Sequence, residues 1–363
     1  MAIVFIVQQL SQPRCIKRIK SFYDAGFPIK VYGFDTGTYS DNIKNIDFPV
    51  ERIIKRSKYD SKKNKVTLFI KTIKQIVREN EKDDVFYCFG FDFGILMRFL
   101  CNRKYIYEEA DILYTNGKGE ARKCLKMADK LIIRKSLLSI FTSQGFVDFL
   151  FPSKKPKNII LVPNKLNQFF VNKESLRISH HVNEEHIKFG FVGLIRFKNT
   201  IIRFANVIGR NFPQHEFHFY GDPEREDYIT DELKSFPNVF FHGPFKNPVD
   251  LESIYSKVDV NVLCYDDSDL GVRLAEPNKY YESTFFCVPM VVSNNTYISQ
   301  RVIHDGTGFV INAQSDQSII EFVKHLGKEM IVKAQKNCLV IPSEDLIYQE
   351  SELLERVKLL IEN

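Results

Sequence analysis

The sequence predicts two α/β domains, each a doubly wound parallel sheet covered by helices on both faces. The first observation is that strand-like apolar runs alternate with helix-like patterns through the first 165 residues, which is typical of a parallel sheet. The second is that the same alternation restarts at residue 187, after a polar stretch. The third is length, because 363 residues exceed what one hydrophobic core comfortably holds.

The first half opens on a buried strand and keeps alternating strand and helix signals. Short runs rich in β-branched and aromatic residues predict strands at residues 3–7, 29–34, 84–90, 105–111, 130–134 and 139–142. Apolar residues at helical spacing predict helices at residues 16–25, 66–79, 94–101 and 120–128. Gly26 ends the first of these helices, and a basic segment at residues 52–65 precedes the second.

The second half repeats this pattern. Strands are predicted at residues 187–193, 216–220, 239–243, 258–263 and 288–292. Helices are predicted at residues 200–210, at 249–256, from an entry near Pro277, and at 343–362. We therefore expect an N-terminal domain at residues 1–165, a linker at 166–186, a C-terminal domain at 187–342 and a last helix within 343–363.

Charge is divided unequally between the two halves. Residues 1–165 carry a formal charge of +14 and residues 166–363 one of −8, which suggests two different tasks. The basic half suits nucleic acid, an anionic membrane surface or a polyanionic substrate. No apolar run is long enough for a spanning helix, and the seven scattered cysteines favour a reducing cytoplasm over a disulfide frame or a zinc site.

The central motif of the second half is the stretch EPNKYYE at residues 276–282. Pro277 fits the start of a helix, so Lys279 and Glu282, three residues apart, share one face of its first turns. A cation, a carboxylate and free helix N–H groups at one place can bind a phosphate beside the hydroxyls of a sugar. The alternative is an ordinary surface turn with a Lys–Glu pair.

A second candidate is the stretch GFVGLIRFK at residues 190–198. A strand runs into Gly193, whose backbone lets a ligand approach, and Arg196 and Lys198 follow within five residues. A purely structural turn is the alternative. Further polar strand ends lie where a doubly wound sheet binds ligands, at residues 221–222, 242–245 and 265–271, and together they outline a site of nucleotide size.

The acidic sequence Asp267-Ser268-Asp269 follows a predicted strand in the arrangement Asp-x-Asp, which can hold a divalent metal. The motif lies late in the second domain, and the helix entered at Pro277 comes after it. We therefore interpret it as a solvated acidic loop and expect no metal site.

With these motifs in place, the second half resembles the retaining GT-B glycosyltransferases of family 4, which act in capsule and lipopolysaccharide assembly. The resemblance covers residues 187–312 and is carried by the motifs Phe-Val-Gly…Arg-Phe-Lys, Phe-Tyr-Gly-Asp, Phe-His-Gly-Pro-Phe, Asp-Val-Asn-Val-Leu, Pro-Asn-Lys-Tyr-Tyr-Glu and Val-Pro-Met-Val-Val. It implies two Rossmann-like domains facing a cleft, with an N-terminal acceptor domain and a C-terminal nucleotide-sugar donor domain. It also implies that the last helix packs back on the N-terminal domain.

The resemblance implies roles for individual residues. Glu282 would accept hydrogen bonds from the donor ribose. Arg196 and Lys198 would bind the diphosphate and stabilise it as it leaves. The further donor-binding candidates are Gly193, Asp222, Gly271, Asn278 and Lys279.

The chain also departs from the family pattern. Leu194 stands where arginine is usual, and Leu274 stands eight residues before Glu282, where a first glutamate is usual. The family often has a histidine beside the reacting sugar, but residues 1–179 contain none. Asp111, at a strand end, is the remaining catalytic candidate for the acceptor hydroxyl, and a plain strand-end acid is the alternative.

The function that the resemblance implies is transfer of a hexose from a nucleoside diphosphate donor, with retention and without metal or other cofactor. UDP is the nucleotide we expect. The acceptor would be a glycan, carried on a lipid diphosphate at the inner membrane leaflet and reached by a cytoplasmic enzyme. The basic residues expected at that surface are Arg52, Lys55, Arg56, Lys62 and Lys63, for which a solvated charge run is the alternative.

Two other functions stay open. A sugar-nucleotide epimerase of the GT-B fold would need only the donor. A protein without catalysis could bind nucleic acid or another polyanion, but the chain has no recognised nucleic-acid motif, so no nucleic acid partner is expected.

Overall fold

Two compact α/β units make up the chain in the computed structural model, which describes residues 1–37, 43–44, 46–57, 61–117 and 119–362. Unit 1 comprises Met1–Val162 and Glu350–Asn363, and unit 2 comprises Pro163–Gln349. Each unit is built on one sheet in which every strand pair is parallel. Two parallel-sheet α/β domains were predicted, and the fold class is confirmed.

Unit 1 contains a seven-stranded sheet in the order β3-β2-β1-β4-β5-β6-β7. Its strands are β1 (Ile3–Val7), β2 (Ile29–Asp35), β3 (Arg52–Lys55), β4 (Val85–Phe89), β5 (Tyr105–Glu109), β6 (Leu138–Phe141) and β7 (Ile159–Leu161). Its first helices are α1 (Pro13–Asp24), α2 (Lys62–Glu79), α3 (Phe91–Leu96), α4 (Gly119–Lys135) and α5 (Gln144–Leu150). A π-helical turn, Met97–Cys101, continues α3. The strands β1, β4 and β5 are buried at every residue, as expected for a sheet covered on both faces.

One sequence prediction for unit 1 is corrected. Residues 130–134, predicted as a strand, form the last turns of α4, because Leu131, Ile132 and Ile133 continue a helical pattern that begins at Gly119. Among the apolar residues 93–100 behind the basic segment, Phe93 and Met97 are buried in the core, while Phe99 and Leu100 are exposed.

Unit 2 contains a six-stranded sheet in the order β10-β9-β8-β11-β12-β13. Its strands are β8 (Lys188–Val192), β9 (Glu216–Tyr220), β10 (Val239–Phe241), β11 (Val260–Leu263), β12 (Met290–Ser293) and β13 (Gly308–Ile311). Its helices are α6 (Arg203–Asn211), α7 (Asp231–Ser235), α8 (Leu251–Tyr255), α9 (Leu270–Leu274), α10 (Asn278–Phe285), α11 (Tyr297–Asp305), α12 (Asp316–His325), α13 (Lys328–Val340) and α14 (Ser343–Leu346). Short 3-10 turns lie at Leu113–Asn116 in unit 1 and at Gln168–Phe170, Glu174–Leu176 and Glu226–Tyr228 in unit 2.

The prediction of a single long helix at residues 343–362 is wrong. This segment forms two helices, α14 in unit 2 and α15 (Ser351–Glu362) in unit 1. Between them the chain is extended, because the Tyr348 amide donates to the Leu166 carbonyl at 2.8 Å and the Leu166 amide donates to the Leu346 carbonyl at 3.0 Å. These bonds use backbone groups that a continuous helix would pair within itself.

Within unit 1, a buried ion cluster joins α1 and β5 to Glu350, where the chain re-enters this unit. The Arg18 guanidinium donates to Glu108 at 2.9 Å and to the Glu350 carboxylate. The side chains of Arg18, Glu108 and Glu350 are at most 2% exposed. Burial raises the pKa of Glu350 to about 7, against the opposing effect of Arg18. Residues 350–362 are therefore tied to the first helix of the chain by a desolvated cation.

Candidate active site

The carboxylate of Glu282 is the centre of a buried polar cluster in unit 2. Pro277 precedes α10 as its N-cap residue, and Glu282 lies in the second turn with 2% exposure. The Lys279 ammonium bonds both carboxylate oxygens, at 2.8 and 3.1 Å. The Asn278 amide donates to one oxygen at 3.0 Å. The predicted pairing of Lys279 with Glu282, three residues apart on one helix face, is therefore present. The pair is buried and does not lie on an ordinary surface turn.

Two more donors reach Glu282 from outside its own helix. The Tyr255 hydroxyl, from α8, bonds one oxygen at 3.1 Å, and the Asn247 amide, from the loop before α8, lies 3.4 Å from the other. Burial and the Glu282 carboxylate together raise the pKa of Tyr255 well above its usual value, so this hydroxyl stays a donor. Sequence reasoning missed both residues, since nothing local marks a loop asparagine or a helix tyrosine as a carboxylate partner.

Lys279 also lies against the turn after β8. Gly193 has a φ of 144°, and the Lys279 Cε is 3.5 Å from where a Cβ on Gly193 would lie. A Cβ on Gly221, at the end of β9, would overlap the Gly193 carbonyl oxygen. The ends of β8 and β9 therefore approach each other through backbone alone, and Gly193 belongs to the same cluster as Lys279 and Glu282.

Arg196 and Lys198 lie further along the same turn, on either side of Phe197. They line one cleft of about 360 Å³ together with Asn199, Glu224 and Asp269. The Arg196 guanidinium lies 4.7 Å from the centroid of the Phe197 ring, and that ring packs against Tyr265 at 4.8 Å. Burial raises the pKa of Tyr265 to about 12, with Arg196 lowering it and Glu282 raising it. Tyr265 thus lies within electrostatic range of both groups.

Other predicted donor-binding residues are arranged differently. Asp222 is exposed, and its carbonyl accepts from the Ile195 amide at 2.8 Å. The Gly271 amide is bonded to the Asp269 carboxylate at 2.8 Å, which caps the short helix α9. Asp267 accepts from the side-chain amides of Asn295 and Gln314. Within the described ranges, no group of three His, Cys, Asp or Glu side chains could hold a metal ion.

Asp111 lies in unit 1, two residues beyond the end of β5, and is exposed. Its neighbours Glu108 and Glu109 are buried. The Tyr107 hydroxyl contacts both Glu109 and Asp129, the latter at 2.9 Å. Burial, with Asp129 nearby, raises the pKa of Glu109 well above its usual value. The Tyr114 hydroxyl donates to the other oxygen of Asp129 at 2.6 Å, so each of these two buried carboxylates has a hydroxyl donor.

The basic residues predicted for a membrane surface are only partly free. Arg52 pairs with Glu79 at 3.0 Å, and the Arg56 guanidinium lies 6.0 Å from the Phe69 ring centroid. Lys55 and Lys63 are exposed, whereas the side chain of Lys62 lies outside what the structure describes. On the outer face of α4, Met127 is 66% and Leu131 42% exposed. The basic residues at helical spacing around these two are Lys123, which pairs with Glu120 at 2.8 Å, and Lys126, Lys130 and Arg134, which lie over phenylalanine rings.

No protein-family model matches the sequence, and no curated protein matches it. Solved structures do. HepE of Anabaena, in complex with UDP and glucose, has a TM-score of 0.72 at 14% identity over 99% of both chains. Sucrose-phosphate synthase of Thermosynechococcus elongatus has a TM-score of 0.68 at 13% identity, over 100% of this chain and 98% of its own. UDP-GlcNAc 2-epimerase of Neisseria meningitidis, bound to UDP-GlcNAc, has a TM-score of 0.66 at 14% identity over 100% of both.

At identities this low the similarity shows the fold, and the chain has the GT-B fold that the motifs predicted. Across the described residues, every helix is too short or too polar to cross a bilayer.

Proposed function

We propose that this protein is a retaining hexosyltransferase of the family 4 type, which transfers a sugar from a UDP-sugar to a glycan acceptor in surface-polysaccharide synthesis. The observation that carries the proposal is the Glu282 cluster, in which one buried carboxylate is held by Lys279, Asn278, Tyr255 and Asn247. The complexes of HepE with UDP and with UDP-glucose support a nucleotide-sugar donor for this fold.

The cluster suits the ribose of a nucleotide. A carboxylate fixed by two neutral side chains from outside its helix and by Asn278 keeps its orientation when a ligand replaces one donor. Ribose hydroxyls also donate hydrogen bonds to a carboxylate, so they can take the place of the Lys279 ammonium on Glu282. The ammonium released from the carboxylate then lies beside the Gly193 turn, where it can pair with a phosphate.

The same residues support the departure of the nucleoside diphosphate. Negative charge develops on the phosphate oxygens as the sugar bond breaks, and fixed cations stabilise that charge more in the transition state than in the ground state. Arg196, Lys198 and Lys279 are the cations we assign to this task, so the proposed reaction uses no metal and no other cofactor. Asp111 is the residue we assign to the proton of the acceptor hydroxyl.

The test is a thermal-shift and calorimetric titration of the protein with UDP, GDP, CMP, ADP and their sugars, with and without EDTA. A ligand that binds the native state stabilises it by about 2.7 kcal/mol at a concentration of 100 Kd. We expect a rise in Tm with UDP and UDP-sugars that EDTA does not change. Absence of binding by every nucleotide would overturn the proposal.

A GT-B epimerase is the second candidate, favoured by the similarity to UDP-GlcNAc 2-epimerase. The two activities separate in one incubation of UDP-sugar with the enzyme and no acceptor. An epimerase converts the UDP-sugar to its epimer under these conditions, whereas a transferase needs the acceptor to consume it at a comparable rate.

We further propose that the enzyme reaches a lipid-diphosphate-linked acceptor by resting on an anionic membrane surface through α4. The exposed side chains of Met127 and Leu131 can enter the headgroup region, while Lys123, Lys130 and Arg134 pair with anionic lipid. The net charge of +14 on residues 1–165 has the sign this surface requires. The same arrangement supports a peripheral, cytoplasmic location.

Vesicle co-sedimentation checks the membrane proposal. The wild-type protein is expected to sediment with vesicles containing phosphatidylglycerol and not with neutral phosphatidylcholine vesicles, and to be released by salt. The double variant Met127→Ser/Leu131→Ser is expected to bind several-fold more weakly. The matched control Ile303→Ser removes an apolar side chain of unit 2 that is 67% exposed and is expected to change nothing. Equal binding by all three proteins would contradict the proposal.

A further inference from the structure

We propose that Phe197, anchored by Tyr265, is a positioning residue that fixes Arg196 and Lys198 for the diphosphate of the donor. This inference rests on the proposed function and deepens it, because it explains how a turn with leucine directly after its glycine still presents two cations to one ligand.

The first observation is the backbone of Phe197. Its φ of 66° and ψ of 64° place it in the left-handed region, which bulky side chains avoid. Such a conformation costs roughly 1–3 kcal/mol and persists where the surroundings hold it. Glycine or asparagine would adopt it more easily, so the backbone alone gives no reason for a phenylalanine here. The reason must lie in the ring.

The second observation is what the ring contacts. It packs on Tyr265 with centroids 4.8 Å apart, and the Arg196 guanidinium lies 4.7 Å from its centroid. Tyr265 lies two residues beyond the end of β11, and its carbonyl accepts from the Ser293 hydroxyl at the end of β12, at 2.6 Å. The ring of Phe197 is thus fixed to the carboxyl edge of the sheet, and it holds the guanidinium against one face.

The third observation is the position of the two cations. Arg196 and Lys198 lie on either side of this left-handed residue, and both line the same cleft of about 360 Å³. The Phe197 carbonyl accepts from the Thr200 and Ile201 amides at 3.1 Å, which fixes the π-helical turn that Lys198 begins. Arginine binds phosphate through a planar fork, so its orientation decides its contribution. A guanidinium held by a ring is oriented before the ligand arrives.

The test compares ligands that share the base but differ in phosphate. Wild type, Phe197→Asn, Phe197→Tyr and Tyr265→Leu are titrated with UDP and with uridine, the latter by competition. Asparagine tolerates the left-handed backbone without supplying a ring, so Phe197→Asn removes the ring and keeps the turn. Phe309→Leu is the matched control, because Phe309 belongs to another ring pair of unit 2, with Phe322 at 5.4 Å. Circular dichroism and Tm establish that each variant is folded.

We expect Phe197→Asn and Tyr265→Leu to weaken the affinity for UDP at least tenfold. Their affinity for uridine should stay within about twofold of the wild-type value, because the base and ribose contacts remain. Phe197→Tyr and Phe309→Leu are expected to bind UDP as the wild type does. An unchanged ratio of UDP to uridine affinity in folded Phe197→Asn overturns the positioning role and leaves the proposed function standing. A wild-type protein that binds no UDP overturns both.

Discussion

Glu282→Ala is expected to abolish UDP binding and to lower the free energy of unfolding by about 3–5 kcal/mol, because it leaves a buried ammonium without its partner. Lys279 is 9% exposed and pairs with both oxygens of Glu282. The Tyr255 hydroxyl and the Asn278 amide lose an acceptor as well, and unpaired buried donors add to the cost. Urea denaturation measures the stability, and calorimetry with UDP measures the binding.

Two further variants separate the effect on stability from the effect on UDP binding. Lys279→Met/Glu282→Gln removes both charges, and we expect it to recover most of the stability while UDP still fails to bind. Asp259→Ala is the control: Asp259 precedes β11 and accepts from the Lys188 amide at 2.8 Å, at the opposite end of the strands. It is expected to lose stability and keep UDP binding. A folded Glu282→Ala protein with the Kd of the wild type would refute the role of this carboxylate.

Arg18→Met is expected to lower the free energy of unfolding by about 3–5 kcal/mol at neutral pH. It leaves the carboxylates of Glu108 and Glu350, both buried, without the cation that bonds them. In the wild type, burial raises the pKa of Glu108, but Arg18 and Arg14 outweigh that effect and hold it below its usual range. Without Arg18 the folded-state pKa of Glu108 moves above its unfolded value. Stability of the variant therefore falls as pH rises through that folded-state pKa.

Urea denaturation at pH 5 and pH 8 checks both the size and the direction of this effect. The wild-type stability minus that of Arg18→Met should be larger at pH 8 than at pH 5. Arg52→Met is the comparison, because the pair of Arg52 with Glu79 is 39% and 34% exposed and solvent screening makes the loss from breaking it much smaller. Equal losses in the two variants would show that the Arg18 cluster is not desolvated in solution.

The sheets of both units follow from the sequence because a parallel strand buried on both faces is an uninterrupted apolar run. Residues 3–7 were predicted as a strand and form β1 with the same bounds, buried at every residue. The same argument explains the error at residues 130–134, since a short run such as Leu131-Ile132-Ile133 fits a strand as well as a helix. The break between α14 and α15 was not predictable either, because it depends on the pairing of Leu166 with residue 347, far away in the chain.

The candidate site was predictable where its contacts are local. Lys279 and Glu282 pair within one helix, so their spacing indicates their meeting. Asn247 and Tyr255 lie 35 and 27 residues before Glu282, and only the folded chain brings them to it. The orientation of Arg196 depends on a left-handed phenylalanine, a conformation that has no signature in the sequence, because steric rules would place glycine or asparagine there.

Unit 1 is completed by residues that are translated after all of unit 2. While the ribosome is still making residues 163–349, Arg18 has the carboxylate of Glu108 but lacks that of Glu350. The emerging chain must therefore keep a place open on its first domain until α15 leaves the exit tunnel. The buried ion pair of Arg18 with Glu350 can form only after residues 163–349 have been made, so the N-terminal domain is incomplete during that part of translation.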